Sequence, residues 1–168
     1  MTKFEAALDD AFDELEVKLG RLPNTDEENE LRESLFRSWI TSMRFDELIE
    51  YVQDCYELEG GFGDASILSE ALKRAGDLTR IEKLFEGLLK ARKKAFSRVW
   101  SQAQLAHIGA MRESAKHMSA VMEAYAGLYH GYWSLQHEPG MAKVKAEMLH
   151  FQTHRVDKKR RRPSQSGA

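Results

Sequence analysis

Cysteine, proline and long apolar runs are all scarce in this 168-residue chain. The single cysteine, Cys55, excludes an internal disulfide and favours a reducing compartment, so we expect a cytoplasmic protein. There are three prolines, and none lies between Pro23 and Pro139, which favours helix through most of the chain. No apolar run approaches the roughly 20 residues that span a bilayer. The first ten residues lack the basic-then-apolar pattern of a signal peptide, so we expect no membrane partner.

The compact motifs of common enzymes are also missing. The chain has no glycine-rich phosphate loop, no nucleophile elbow and no cluster of cysteine and histidine. Glu147 and His150 form one Glu-x-x-His pattern, with His154 four residues further on. A carboxylate-bridged metal site in a helical bundle needs such a pair on more than one helix. We therefore expect no metal, no cofactor and no enzymatic activity.

One short pattern points to a different class of function. Arg112 and His117 have the R-x4-H spacing, which resembles the active-site pair of the all-helical HEPN ribonucleases. Glu113 follows the arginine, where that family commonly has a small polar residue. The resemblance implies a helical ribonuclease, which we keep as a third interpretation behind a binding protein.

Charge is distributed unevenly along the chain. Residues 1–60 hold 17 acidic and 6 basic side chains, whereas residues 61–168 hold 10 acidic and 19 basic ones. The basic residues concentrate in two runs, Lys90–Arg98 and Arg155–Arg162. Such runs contact phosphates in many proteins, so a nucleic-acid-binding regulator is the alternative function. The second run belongs to a tail without apolar periodicity, and we expect one domain over 1–153 and a disordered basic tail over 154–168.

Apolar residues recur at three- and four-residue spacing through most of the chain, which predicts an all-α fold. Thr2 with Glu5, and Thr25 with Glu28, are expected to cap the first two helices. Residues 64–91 predict two short helices that meet at Gly76, with Asp77 or Thr79 capping the second. A separate helix is expected to follow, from about Phe96. Four side chains of the 64–91 hairpin are expected to be buried: Leu72, Leu78, Phe85 and Leu89.

A longer helix is predicted from about Met111 to Gln136. Along one side of it runs a stripe of small residues: Ala120, Ala124, Gly127 and Gly131. Small side chains permit close approach, so we expect another helix to pack on this stripe. Pro139 and Gly140 are then expected to separate this helix from the last one.

An internal repeat organises the middle of the chain. Met43, Gly76 and Gly109 are 33 residues apart, and apolar residues stand in register around each of them. Two helices per unit of this length resemble the tetratricopeptide repeat family over about residues 29–125, and the likeness is best over residues 64–91. The resemblance implies a short array of helical hairpins with flanking N- and C-terminal helices. The alternative architecture is a helical bundle with a long helical hairpin, if residues 78–136 form one or two very long helices.

The resemblance also implies a function and a site. Proteins of that family bind partners on the inner surface formed by the first helix of each hairpin, so the main expectation is a non-enzymatic adaptor for another protein or peptide. By register, that surface would contain these partner-binding residues: Glu33, Arg37, Ile40, Glu70, Lys73, Arg74, Ala103 and His107. The competing expectation is that a terminal helix of the chain itself fills this groove.

Overall fold

A computed structural model of the chain describes residues 1–55, 62–103 and 109–160. These residues form seven α-helices: α1 (Lys3–Leu19), α2 (Thr25–Thr41), α3 (Phe45–Cys55), α4 (Phe62–Ala75), α5 (Leu78–Ala103), α6 (Gly109–Ser134) and α7 (Glu138–Arg160). The predicted all-α fold class is confirmed, and no strand occurs within the described ranges. Within the same ranges, no helix combines the length and apolarity needed to cross a membrane.

Local capping signals define the first helix as predicted. The Thr2 hydroxyl accepts the backbone N–H of Glu5 at 3.2 Å, and the Glu5 carboxylate accepts the N–H of Thr2 at 2.6 Å. Gly20 ends α1 in the left-handed conformation, with φ of 65°. The reciprocal cap therefore satisfies N–H groups that have no partner inside the helix.

The expected cap of α2 was wrong by one residue. Asn24, not Thr25, precedes the helix, and its side-chain oxygen accepts the N–H groups of Asp26 and Glu27 at 3.0 Å each. Glu27, not Glu28, completes the capping box and is also held by Arg21 through hydrogen bonds of 2.9 and 2.7 Å. The additional ion pair favours the cap at Asn24 over a cap at Thr25.

Two turns join helices where the sequence predicts a break. Met43 has φ of 55° between α2 and α3, and the Arg44 guanidinium lies 3.4 Å above the Trp39 ring. Gly76 has φ of 67° between α4 and α5. Asp77 then caps α5 by accepting the N–H of Arg80 at 3.0 Å. Of the two capping residues that the sequence allows, the structure therefore uses Asp77.

Helix α5 is the main departure from the expected hairpin array. It is one 26-residue helix, so the short helix expected to end near Ala91 and the separate one expected from Phe96 are wrong. No glycine or proline interrupts residues 88–103, and the buried Leu88, Ala95 and Phe96 continue its apolar face. α5 and α6 are antiparallel, as the contacts of Phe85 with Gly127 and of Arg92 with Ala120 show. This pair has the form of the long helical hairpin given above as the alternative.

The predicted stripe of small residues on α6 packs against another helix, α5. A Cβ atom added to Gly127 would lie 2.3 Å from Cε1 of Phe85, and one added to Gly131 would lie 2.5 Å from Cγ2 of Ile81. Phe85 and Ile81 are buried, so the α5 side chains rest directly on the α6 backbone. Ala120 and Ala124 are also buried on α6.

Burial in the central hairpin follows the prediction for three of four side chains. Leu72, Phe85 and Leu89 are buried, whereas Leu78 is half-buried at the edge of the core.

A second group of rings attaches α1 to α2 and α3. Phe4 is fully buried, and its ring centroid lies 5.0 Å from that of Trp39 and 4.5 Å from that of Tyr51.

The last helix packs along the α5–α6 hairpin. Gly140 lies against Tyr132, whose ring would be 2.2 Å from an added Cβ atom, and Phe151 contacts Tyr125 and Phe96. The Tyr132 hydroxyl donates to Glu82 at 2.7 Å, and its burial raises the pKa of that hydroxyl.

The expected domain end at residue 153 falls inside α7, whose backbone stays helical through Arg160. Residues 161–168 lie outside the described part.

The first two hairpins stack in register. Asp46 on α3 accepts Arg80 at 2.7 Å and Lys83 at 2.9 Å on α5, and Asp46 and Arg80 are 34 residues apart. Arg32 on α2 pairs with Asp64 on α4, 32 residues further along. The α2–α3 and α4–α5 hairpins therefore lie side by side with an offset close to the 33-residue sequence period.

Removal of the Phe85 ring should strongly destabilise the protein. We expect Phe85→Ala to lower the free energy of unfolding by about 3–5 kcal/mol, because it leaves a cavity between α5 and α6. Urea unfolding followed by circular dichroism measures the change. A free energy equal to that of the wild type would contradict the described packing.

A methyl group added at Gly127 should destabilise the same α5–α6 interface. We expect Gly127→Ala to destabilise by about 1–3 kcal/mol, since the added Cβ overlaps the Phe85 ring. Gly63→Ala is the control, because nothing lies within 4 Å of its Cβ position. In the Phe85→Ala background, Gly127→Ala should have no further destabilising effect. Equal effects in both backgrounds would show that the two residues are not in contact.

The Asp46 ion pairs should make stability depend on pH. Hydrogen bonds from Arg80 and then Lys83 lower the pKa of Asp46 to about 2, below its ordinary value. A lowered pKa stabilises the fold above the unfolded-state pKa near 4, and this contribution disappears as the pH falls towards 2. We expect Asp46→Asn to destabilise by up to about 1 kcal/mol at pH 7, because the pair is partly exposed, and by nothing near pH 2. Chemical denaturation across this range measures the difference.

Asp9→Asn is the matched control for this pH series. Asp9 is exposed on α1 and forms no ion pair within the described residues. A constant difference between wild type and Asp46→Asn from pH 7 to pH 2 would contradict the assignment.

Candidate functional site

An open groove lies between α2 and α4. Arg32 and the buried Asp64 form an ion pair between the two helices and align them side by side. A buried carboxylate without a counter-charge is costly, and the Arg32 guanidinium supplies that charge at Asp64. Next to this pair the two helices leave an open groove of about 590 Å³.

The groove has an apolar floor and charged walls. Eight residues line it: Arg37, Ile40 and Thr41 from α2, and Ser66, Ile67, Glu70, Ala71 and Arg74 from α4. Ile40, Ile67 and Ala71 are half-buried, so each still offers apolar surface to solvent. Such a surface can take up an apolar side chain while the walls orient polar groups around it.

The charged walls are formed by weak local ion pairs. Arg37 donates to Glu33 at 2.6 Å, one turn away on α2. Glu70 lies 3.5 Å from Lys73 and 3.6 Å from Arg74 on α4. The side chains of Arg37 and Arg74 are 60% and 79% exposed, so water screens both pairs. A ligand can therefore replace these partners at little energetic cost.

Four of the eight predicted partner-binding residues line this groove: Arg37, Ile40, Glu70 and Arg74. Glu33 and Lys73 contact the walls from the outside. Ala103 is the last residue of α5 and does not lie on the first helix of a third hairpin, because α5 continues without a break to that position. His107 lies outside the described residues.

Thr41, Ser66, Ile67 and Ala71 also line the groove, although sequence reasoning did not include them. Helical spacing alone places Ile67 and Ala71 on the apolar face of α4. The signal that could have found them is the same helical period, since Ile67 precedes Glu70 by three residues and Ala71 precedes Arg74 by three.

The ribonuclease interpretation gains no support from the geometry. His117 is buried, and its Nε2 atom lies 3.9 Å from a carboxylate oxygen of Glu113. Arg112 is exposed. The five-residue step turns the helix by more than a third of a circle between them, so the two side chains do not share one exposed surface.

Tyr125, Tyr132 and Trp39 are buried core residues, whereas Trp133 on α6 is 60% exposed. Among the residues whose side chains are described, no three histidine, cysteine or acidic groups come together in a way that could hold a metal ion.

A second, smaller cavity lies between α6 and α7. Tyr125, Tyr129, Val144 and Met148 form most of its apolar wall, and its volume is about 250 Å³. The Tyr125 hydroxyl is buried without a hydrogen-bond partner among the described residues. The remaining lining residues include His130 and Lys145, so the cleft is mainly apolar with polar groups at only these two positions and at the Tyr hydroxyls.

Comparison of the chain with models of known protein families, with curated proteins and with solved structures finds no match. The geometry of the α2–α4 groove is therefore the basis of the functional proposal.

Proposed function

We propose that this protein is a non-enzymatic adaptor that binds a segment of another protein in the α2–α4 groove. The observation that carries the proposal is the combination of an apolar floor, Ile40 and Ile67, with exposed charges on both walls. Apolar contact supplies binding free energy, and the charges orient the ligand and select among partners. The single cysteine suits a reducing compartment, so the proposal includes a cytoplasmic location.

The arrangement of the helices supports the same proposal. α2 and α4 are the first helices of two hairpins that stack with offsets of 32 and 34 residues. Partners of tetratricopeptide-like arrays bind along the first helices, which here form the groove. Neither α1 nor α7 contributes a residue to its described lining, so no terminal helix occupies the position of a partner.

The charges of the groove indicate the kind of segment that fits. Arg37 and Arg74 are the most exposed groups of the two walls, and their present partners are carboxylates. A partner segment with an apolar side chain for the floor and a carboxylate beside it would replace those contacts. We therefore expect the ligand to be an extended or helical segment that combines apolar and acidic residues.

Charge reversal on the groove walls tests this proposal. Peptides of about 15 residues can be selected from a displayed library against the full chain, and their Kd measured by biolayer interferometry. We expect the triple variant Arg37→Glu, Lys73→Glu, Arg74→Glu to bind at least tenfold more weakly, with slower association and a changed salt dependence, because these charges steer the ligand. Its thermal stability should remain close to that of the wild type, since the native pairs are exposed.

The control variant carries the same charge change on a different surface. Lys3→Glu, Lys18→Glu, Arg112→Glu alters exposed residues of α1 and α6, away from the groove, and should leave peptide affinity unchanged. If the groove variant binds as tightly as the wild type, the groove is not the site. If it unfolds, the groove is an internal packing surface and the adaptor must use another face.

A further inference from the structure

The cleft between α6 and α7 differs from the α2–α4 groove in the chemistry of its walls. Tyr125 and Tyr129 of α6 line it together with Val144 and Met148 of α7. Tyr125 and Val144 are buried, whereas Tyr129 and Met148 are half-buried and offer apolar surface to an incoming molecule. Aromatic rings pack well against other rings in edge or offset geometry, and a methionine thioether packs well against a ring edge. The walls therefore favour a ligand that contains an aromatic ring.

The mouth of the cleft is marked by three exposed lining residues, Ala126 and His130 on α6 and Lys145 on α7. The His130 ring also contacts the exposed Trp133, with their centroids 5.7 Å apart. The cleft volume of about 250 Å³ lies just below the range of about 300–1,000 Å³ that is usual for drug-sized ligands. The cleft therefore suits one small ring system.

The charge at the mouth has one sign. The Lys145 ammonium lies 5.3 Å from the centre of the Tyr129 ring, which holds the positive charge beside the cleft. Lys145 forms no ion pair among the described residues, whereas Lys143, on the other side of α7, pairs with Glu86 at 3.3 Å. The described lining contains no acidic side chain. An anionic group at the mouth would thus meet a cation that no carboxylate neutralises.

From the aromatic walls and the cation at the mouth we infer that the α6–α7 cleft binds a small aromatic carboxylate. The ring of the ligand packs against Tyr129 and Met148, and its carboxylate accepts a hydrogen bond from Lys145, with the His130 imidazole as a second donor. No residue belongs to the described linings of both this cleft and the α2–α4 groove. The site is therefore independent of the proposed peptide site.

Titration of the full chain with cinnamate, a planar aromatic carboxylate, tests the inference. The readout is the NMR spectrum of isotope-labelled methionine methyl groups, in which Met148→Leu identifies the Met148 signal. We expect this signal to shift saturably with a Kd of about 1 mM, as befits a ligand with few heavy atoms. Met43 is the internal control, because it is 68% exposed in the turn between α2 and α3 and its signal should not move.

A neutral analogue measures the part played by charge. Cinnamamide keeps the ring and lacks the carboxylate, so wild-type protein should bind it about 2- to 5-fold more weakly, the usual effect of an exposed ion pair. Lys145→Gln should remove this preference for cinnamate over cinnamamide. Lys18→Gln removes the same charge from an exposed position on α1 and should preserve the preference.

A side chain added at the mouth measures the part played by shape. Ala126 is exposed and lines the cleft, so Ala126→Phe should place a ring in the mouth without disturbing the core and weaken cinnamate at least tenfold. Ala146→Phe is the matched control, because Ala146 is exposed on α7 and lies two residues from Val144, on the opposite side of that helix. Both variants should melt close to the wild-type temperature.

Four outcomes would overturn the inference. Absence of a saturable Met148 shift would exclude the cleft as a ligand site. Equal affinity of the wild type for cinnamate and cinnamamide would exclude selection of a carboxylate. Tighter binding of octanoate than of cinnamate would show that the walls select aliphatic chains. Self-association in sedimentation that Ala126→Phe abolishes, without cinnamate binding, would show that the cleft docks a second copy of the chain.

Discussion

The close approach of α5 and α6 is the contact on which the rest of the structure depends. Gly127 and Gly131 leave no side chain where the buried Phe85 and Ile81 rest, so the two helix axes come together and exclude water. α5 packs against α6 on one side and contacts α3, α4 and α7 with its remaining faces. The central helix therefore sets the positions of four others, and its continuity past Ala91 decides the shape of the C-terminal half.

Ion pairs between helices add to the packing contacts in fixing the arrangement of the helices. The acidic N-terminal part and the basic C-terminal part meet through Asp46 with Arg80 and Lys83, which aligns α3 with α5. A second pair has the charges reversed: Arg32 in the acidic N-terminal part binds Asp64 in the basic C-terminal part. This pair aligns α2 with α4. These ion pairs engage only a few of the charged side chains. Other acidic residues are exposed on the outer side of α1, and other basic residues are exposed on the outer side of α5.

The α2–α4 groove and the basic line on α5 follow from different features of this framework. The groove exists because two hairpins stack side by side, so its floor and walls come from helices about 32 residues apart in sequence. The basic line exists because α5 remains helical from Leu78 to Ala103, which keeps Lys90, Lys94 and Arg98 on one face. The first surface combines apolar area with both signs of charge and suits a peptide. The second carries charge of one sign only.

Local signals determined the parts of the fold that depend on a few neighbouring residues. The cap at Thr2, the left-handed ends at Gly20 and Gly76, and the small residues of α6 could all be recognised in the sequence, because capping and close approach need particular residue types at fixed positions. The register of the tetratricopeptide resemblance also named four residues that line the groove. Helical periodicity could not show whether the chain turns between Ala91 and Phe96, because both outcomes keep the same apolar spacing and no local breaker decides between them. Only the packing of α5 along the full length of α6 settled that question, since a continuous helix buries Ala95 and Phe96 against its neighbours without leaving unpaired backbone groups at a helix end.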